Sequence, residues 1–151
     1  MLQTIYYDLR DIKGQQKEIR DKINAAAKIL REGGLVGIPT ETVYGLGGNA
    51  LDPNAAAKIY KAKGRPADNP LMVHLSTYEN AGIYCHTNKQ FFEIAEAFMP
   101  GPITIVLKKR RFIPDSVTGG LDTVGIRVPS NQIARELIEL SGVPIAAPSA
   151  N

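Results

Sequence analysis

From residue 15 onward the apolar residues keep changing their period, and this alternation limits the folds open to the chain. In QQKEIRDKINAAAKILREGG (15–34), Ile19, Ile23, Ala26, Ala27 and Leu30 form one stripe at helical spacing, ended by Gly33 and Gly34. LVGIP (35–39) is short and apolar enough for a buried strand. The segment 40–51 reads as a loop, after which Asp52 and Pro53 supply the cap and first turn of a second helix. That helix must stop near Gly64 or Arg65, because Pro66 disfavours helical geometry before it. LMVHLS (71–76), ITIVLKK (103–109) and LDTVGIRVP (121–129) read as strands, and NKQFFEIAEAFM (88–99) and NQIARELIELSG (131–142) as helices. TIYYDL (4–9) reads as a strand, and VPIAAPSAN (143–151) begins as one. Interleaved helices and strands predict an α/β or α+β sheet covered by helices, and 151 residues suit a single domain.

Composition removes several classes of protein. No apolar run approaches the roughly 20 residues of a membrane helix. MLQTIYYDLRDIKG lacks the basic start and apolar stretch of a secretory leader. One cysteine, Cys85, excludes an internal disulfide, and with two histidines it argues against a zinc site. A reduced, cytoplasmic setting is expected.

Net charge is +3, but its placement is uneven. KIYKAKGR (58–65) and KKRR (108–111) carry eight of the 18 basic residues and no acid, leaving ten to face 15 acids. Such separation fits either a positive binding surface or two solvated loops. The first window runs into KGRPADNP (63–70). In extended geometry Lys63 and Arg65 project to one side, with Gly64 letting a ligand approach the backbone. A mobile ammonium and a planar guanidinium together suit a polyphosphate. Pro66 and Pro70 limit the freedom lost when an anion docks, and Asn69 can bond a phosphate or ribose oxygen.

Other candidate sites are weaker. GLGGNA (45–50) matches the dinucleotide pattern G-x-G-x-x-G/A, but its first glycine does not directly end a strand and the following helix starts too late. Strand alternation puts Val124, Ile126 and Val128 in the core and Thr123, Gly125 and Arg127 on the opposite face, where the missing side chain leaves room for a ligand. The same pattern fits an exposed face with a surface arginine. His74 stands opposite Leu71, Val73 and Leu75, as a structural or a functional histidine. Ser149 and Asn151 share one side of an extended segment among small alanines. No Ser-His-acid spacing supports a nucleophilic serine, and Cys85 has no evident orienting partner.

Taken together, PTETVYGLG (39–47), KGRPADNPLMVHL (63–75), PGPITIVL (100–107), VGIRVPS (124–130) and PIAAPSAN (144–151) resemble the YrdC-like family, whose best-understood members are threonylcarbamoyl-AMP synthases. The resemblance runs from residue 15 to 151. It implies a twisted, open mixed β-sheet flanked by helices around a positively charged cavity. It implies a reaction in which L-threonine, bicarbonate and ATP give threonylcarbamoyl-adenylate and pyrophosphate. The product goes to partner proteins that modify tRNA. Lys63 and Arg65 would hold the ATP phosphates with Mg²⁺, assisted by Asn69. Thr40, Thr42, His74 and Arg127 would line the threonine pocket, with Arg127 taking the carboxylate. Thr123, the Ala147 backbone and Ser149 would contact threonine or nucleotide, and Asn151 would complete that wall.

The family domain is expected to continue past S-A-N, so residues 1–151 are read as one YrdC-like domain lacking its C-terminal part, with a sheet edge left uncovered. Two alternatives remain. One is a non-catalytic module binding double-stranded RNA or tRNA through the basic residues. The other is a carbamoyl-transfer domain like that of hydrogenase maturation proteins.

Overall fold

In a computed structural model, residues 3–10 and 15–151 are described. Residues 1, 2 and 11–14, part of the segment in which no leader is read, lie outside the described residues. Six strands form one mixed sheet in the order β1-β2-β6-β3-β5-β4. They are β1 (Val36–Ile38), β2 (Gly45–Asn49), β3 (Val73–His74), β4 (Ile105–Lys108), β5 (Thr123–Arg127) and β6 (Ile145–Ala146). β3 and β5 are parallel, and the other pairs are antiparallel.

The helices begin and end where local chemistry dictates. α1 (Gln16–Arg31) carries the predicted stripe, with Ile23, Ala27 and Leu30 buried. α2 (Pro53–Lys63) opens on Asp52, whose side chain accepts from the Asn54 N–H, and closes on Gly64 at φ 62°. A 3-10 turn (Tyr78–Asn80) leads into the short α3 (Ala81–Tyr84). Asn88 caps α4 (Lys89–Phe98) and Asn131 caps α5 (Gln132–Ser141), each through its side-chain oxygen.

Two clusters hold the sheet from opposite sides. Leu71, Val73, Leu75, Val124, Ile126 and Val128 share the first with residues of α2 and α4. α1 and α5 close the second over Ile38, Ile145 and Ala147. The register puts Lys108 beside Thr123 and Val106 beside Gly125. At this end of the sheet Val106 is 64% exposed and Met72 37%, so the second face is covered only in part.

Three expectations need correction. TIYYDL (4–9) forms no strand, although Leu9 packs against the second cluster. The segment read as a loop over 40–51 contains β2, so GLGGN is extended sheet and not a phosphate-binding turn. Its glycines are there for closeness: a Cβ on Gly47 would sit 2.9 Å from Ile145 Cγ2, and one on Gly48 would sit 3.1 Å from Ile59 Cδ1. Finally, Lys63 and Arg65 do not share an extended segment. Lys63 is the last residue of α2, and Gly64 adopts the left-handed conformation that ends it. The glycine serves the helix end, where the Arg65 N–H bonds the Tyr60 carbonyl at 3.2 Å.

Candidate active site

The candidate site forms where three separated stretches of chain meet: the β1–β2 loop, the end of α2 and the segment after β6. Gly45 bridges Ser149, the Leu46 N–H bonds the Pro148 carbonyl, and the Ala150 N–H bonds the Tyr44 carbonyl. Residues 148–150 therefore run antiparallel to 44–46. Ala147 is fixed from the other side, its N–H bonding the Met72 carbonyl at 2.9 Å.

Lys63 reaches this segment from the end of α2. Its Nζ lies 2.6 Å from the Ser149 carbonyl and 2.5 Å from the Asn151 carbonyl. The Ser149 carbonyl is a neutral acceptor and leaves the ammonium charge uncancelled. Among the described residues neither Lys63 nor Arg65 forms an ion pair. Arg65 Nε is buried without a hydrogen-bond partner. Ser149 Oγ and Asn151 Oδ1 lie 2.5 Å apart, so the two side chains form one polar unit. The backbone carbonyl of Asn69 accepts from the Tyr60 hydroxyl at 2.6 Å, which ties the proline-flanked loop to α2.

The β1–β2 loop is organised around Thr40. Its hydroxyl donates to the Val43 carbonyl and accepts from the Thr42 N–H at 3.2 Å. Arg127, at the end of β5, donates through Nη2 to Thr42 Oγ1 at 3.1 Å. The same Nη2 pairs with the Glu41 carboxylate, whose other oxygen accepts the Ser130 N–H. Arg127 is 8% exposed, and burial lowers its pKa from the ordinary value. Its Nε has no partner. Thr123 shares the Arg127 face of β5 from the opposite end of the strand.

His74 is paired in register with Arg127 and is 3% exposed. Burial holds its imidazole below the ordinary range, against smaller opposing effects from the backbone at Ile145 and Met72. A neutral ring beside a guanidinium is the consequence, and its Nδ1 has no partner.

Sequence reasoning missed Glu41 and the Ser130 N–H. Glu41 lies inside the PTETVYGLG motif, but its partner Arg127 is 86 residues away, and no local pattern links them. The second basic window turns out to be partly engaged: Lys109 pairs with Asp115, and Arg110 Nε bonds the Gly82 carbonyl. Cys85 is buried, and burial pushes its thiol up to about 11, which excludes it as a nucleophile. Among the described residues no group of three His, Cys, Asp or Glu side chains could hold a metal ion. The candidate site thus consists of two groups, Lys63 on the segment after β6 and Arg127 with Glu41 and Thr42, joined through the backbone pairing of 44–46 with 148–150. A separate hollow of about 880 Å³ lies between Leu9, α1 and α5 and includes Ser130 in its wall.

Comparison with known proteins gives the family and the fold. The Sua5/YciO/YrdC family model, described as telomere recombination, matches residues 28–151. The threonylcarbamoyl-AMP synthase of Pyrococcus abyssi is 55% identical over 131 residues, which cover 86% of this chain and 38% of that protein. The threonylcarbamoyl-AMP synthase of Bacillus subtilis is 46% identical over 132 residues, again 86% of this chain and 38% of the relative. The chain therefore spans under two fifths of the length of these curated relatives. The crystal structure of P. abyssi Sua5 complexed with L-threonine superposes with a TM-score of 0.84 at 54% identity, covering 87% of this chain and 39% of that one.

Proposed function

Because the chain belongs to the Sua5/YciO/YrdC family, we propose that it carries the catalytic domain of an L-threonylcarbamoyladenylate synthase serving tRNA modification. The proposed reaction begins when the amine of L-threonine and bicarbonate combine to a carbamate with loss of water. A carbamate oxygen then attacks the α-phosphorus of ATP, and pyrophosphate leaves. The difficulty is electrostatic, because a carbamate must approach a triphosphate. Fixed positive charge and positioning lower that barrier, and no protein nucleophile is needed.

In this reading Lys63 and Arg65 hold the phosphates, and Asn69, Thr123, Ser149 and Asn151 border the nucleotide. Thr40, Thr42, His74, Arg127 and the Ala147 backbone surround threonine. Threonine is the ligand in the P. abyssi structure. Mg²⁺ would enter on the ATP phosphates, since magnesium is commonly held by one or two carboxylates together with phosphate oxygens. The protein would work in the cytoplasm and pass its adenylate to tRNA-modifying partners. No helix among the described residues is long and apolar enough to cross a membrane.

The observation that carries the reading is the meeting of Lys63 with the Ser149 carbonyl across 86 residues of sequence. An ammonium held by a backbone carbonyl, next to an arginine that forms no ion pair among the described residues, is an arrangement that attracts phosphate. An RNA-binding module would draw on both basic windows, 58–65 and 108–111, and in the second Lys109 is already paired with Asp115. Calorimetric titration with ATP tests the proposal. Arg65→Ala should weaken ATP binding roughly tenfold or more, about 1.4 kcal/mol or above. Unchanged affinity would remove Arg65 from the site.

A further inference from the structure

Arg127 is buried and expected to face a substrate carboxylate, yet it already holds one. Glu41 places one carboxylate oxygen on Arg127 Nη2 and the other on the Ser130 N–H. The guanidinium and the amide together thus form a seat whose two donors fit the two oxygens of a single carboxylate. Ser130 directly precedes Asn131, the N-cap of α5, so the seat also lies at the positive end of a ten-residue helix. Arg127 and Glu41 side chains are only 10% and 18% exposed, so the pair is largely shielded from water. Glu41 is carried by a loop whose turn is closed by its own hydrogen bonds at Thr40 and Thr42. Beside it, Val43 and Tyr44 are 58% and 67% exposed, so neither anchors the loop in the core.

We propose that Glu41 is a built-in competitor for the amino-acid carboxylate: it occupies the Arg127–Ser130 seat, and threonine binds by displacing it. The inference rests on the synthase reading above and deepens it. An exchange of one carboxylate for another leaves Arg127 paired in both states, so no buried guanidinium is left without a counter-charge. It also acts as a filter. A ligand without a carboxylate cannot replace what it would evict, so it is rejected by the unpaired charge it would create. The affinity for threonine is reduced by the fraction of molecules in which Glu41 holds the seat.

The test compares the wild-type chain with Glu41→Ala and Glu41→Gln, titrated calorimetrically with L-threonine and with L-threoninamide, which lacks the carboxylate. If Glu41 holds the seat in about nine molecules of ten, Glu41→Ala should tighten L-threonine binding about tenfold. Glu41→Gln, which keeps the volume and loses the charge, should shift it in the same direction by less. The gain should be confined to the ligand with a carboxylate. Threonine bound by wild type and equally or more weakly by both variants would overturn the proposal and make Glu41 a residue that merely orients Arg127. The glutamine variant decides the matter if the alanine variant fails to fold. Threonine bound by none of the three would defeat the synthase reading as well, whereas the ATP titration of Arg65→Ala tests that reading independently of Glu41.

Discussion

The sheet has one face built for cohesion and another that is covered only in part. On the first, Ile105 and Leu107 of β4 lie beside Ile126 and Val124 of β5, and all four pack with the α2 and α4 side. On the second, α1 and α5 close over β1, β2 and β6 and leave the β4–β5 end open. There the same two strands present Val106, Lys108, Thr123 and Gly125. One pair of strands thus carries two different surfaces, because side chains alternate between faces. Stability and binding should therefore separate cleanly along a single strand.

Truncation on the closed face gives the largest expected effect. Ile126 is fully buried between Val73 and Ile105. Ile126→Ala removes three carbons from a packed core and should cost about 2–5 kcal/mol of unfolding free energy, read from denaturant midpoints at constant slope. A loss below about 1 kcal/mol would mean that the closed face is not the principal core.

This closed face is also the one that the amino-acid pattern displays. Val124, Ile126 and Val128 alternate with Thr123, Gly125 and Arg127, and the alternation predicts their burial. The helix ends are equally local: Asp52, Asn88 and Asn131 each cap the helix that their position announces. The open face and the site were less legible. β2 is hidden because glycine has low strand propensity, and its value lies in close approach to Ile145 and Ile59, residues far along the chain. The Arg127–Glu41 pair and the Lys63–Ser149 contact each join residues 86 positions apart. The family motifs name the residues of the candidate site, whereas their contacts arise only from the order of the strands.

His74 marks the border between the faces and should reveal itself through pH. Burial depresses its folded-state pKa below the ordinary 6.5. As pH falls through 6.5 the unfolded chain takes up a proton that the folded chain refuses. Stability is therefore full above pH 6.5 and declines below it, towards the lower folded pKa, by at most about 1.4 kcal/mol per pH unit. Denaturant titrations at pH 7.5 and 5.5 should show this decline in the wild type. His74→Gln should be flatter over the same interval, since it lacks the buried imidazole. Equal slopes in the two proteins would place the titrating group elsewhere.

The smallest effect should come from the open face, and there binding should move instead of stability. A Cβ on Gly125 would lie 2.9 Å from Thr104 Cγ2 and 3.7 Å from Met72 Cγ. Thr104 is exposed, so its side chain can turn aside. Gly125→Ala should therefore change unfolding free energy by less than about 1 kcal/mol, the scale of a glycine replacement without backbone strain. Thr104 thus already fills the gap expected over Gly125, and the added methyl group displaces it on the face of β5 that a ligand would cross. ATP binding should weaken about threefold to fivefold, under about 1 kcal/mol. Stability lost with binding intact would reverse the assignment of the two faces, since Gly125 would then be serving the core that Ile126 serves from the other side.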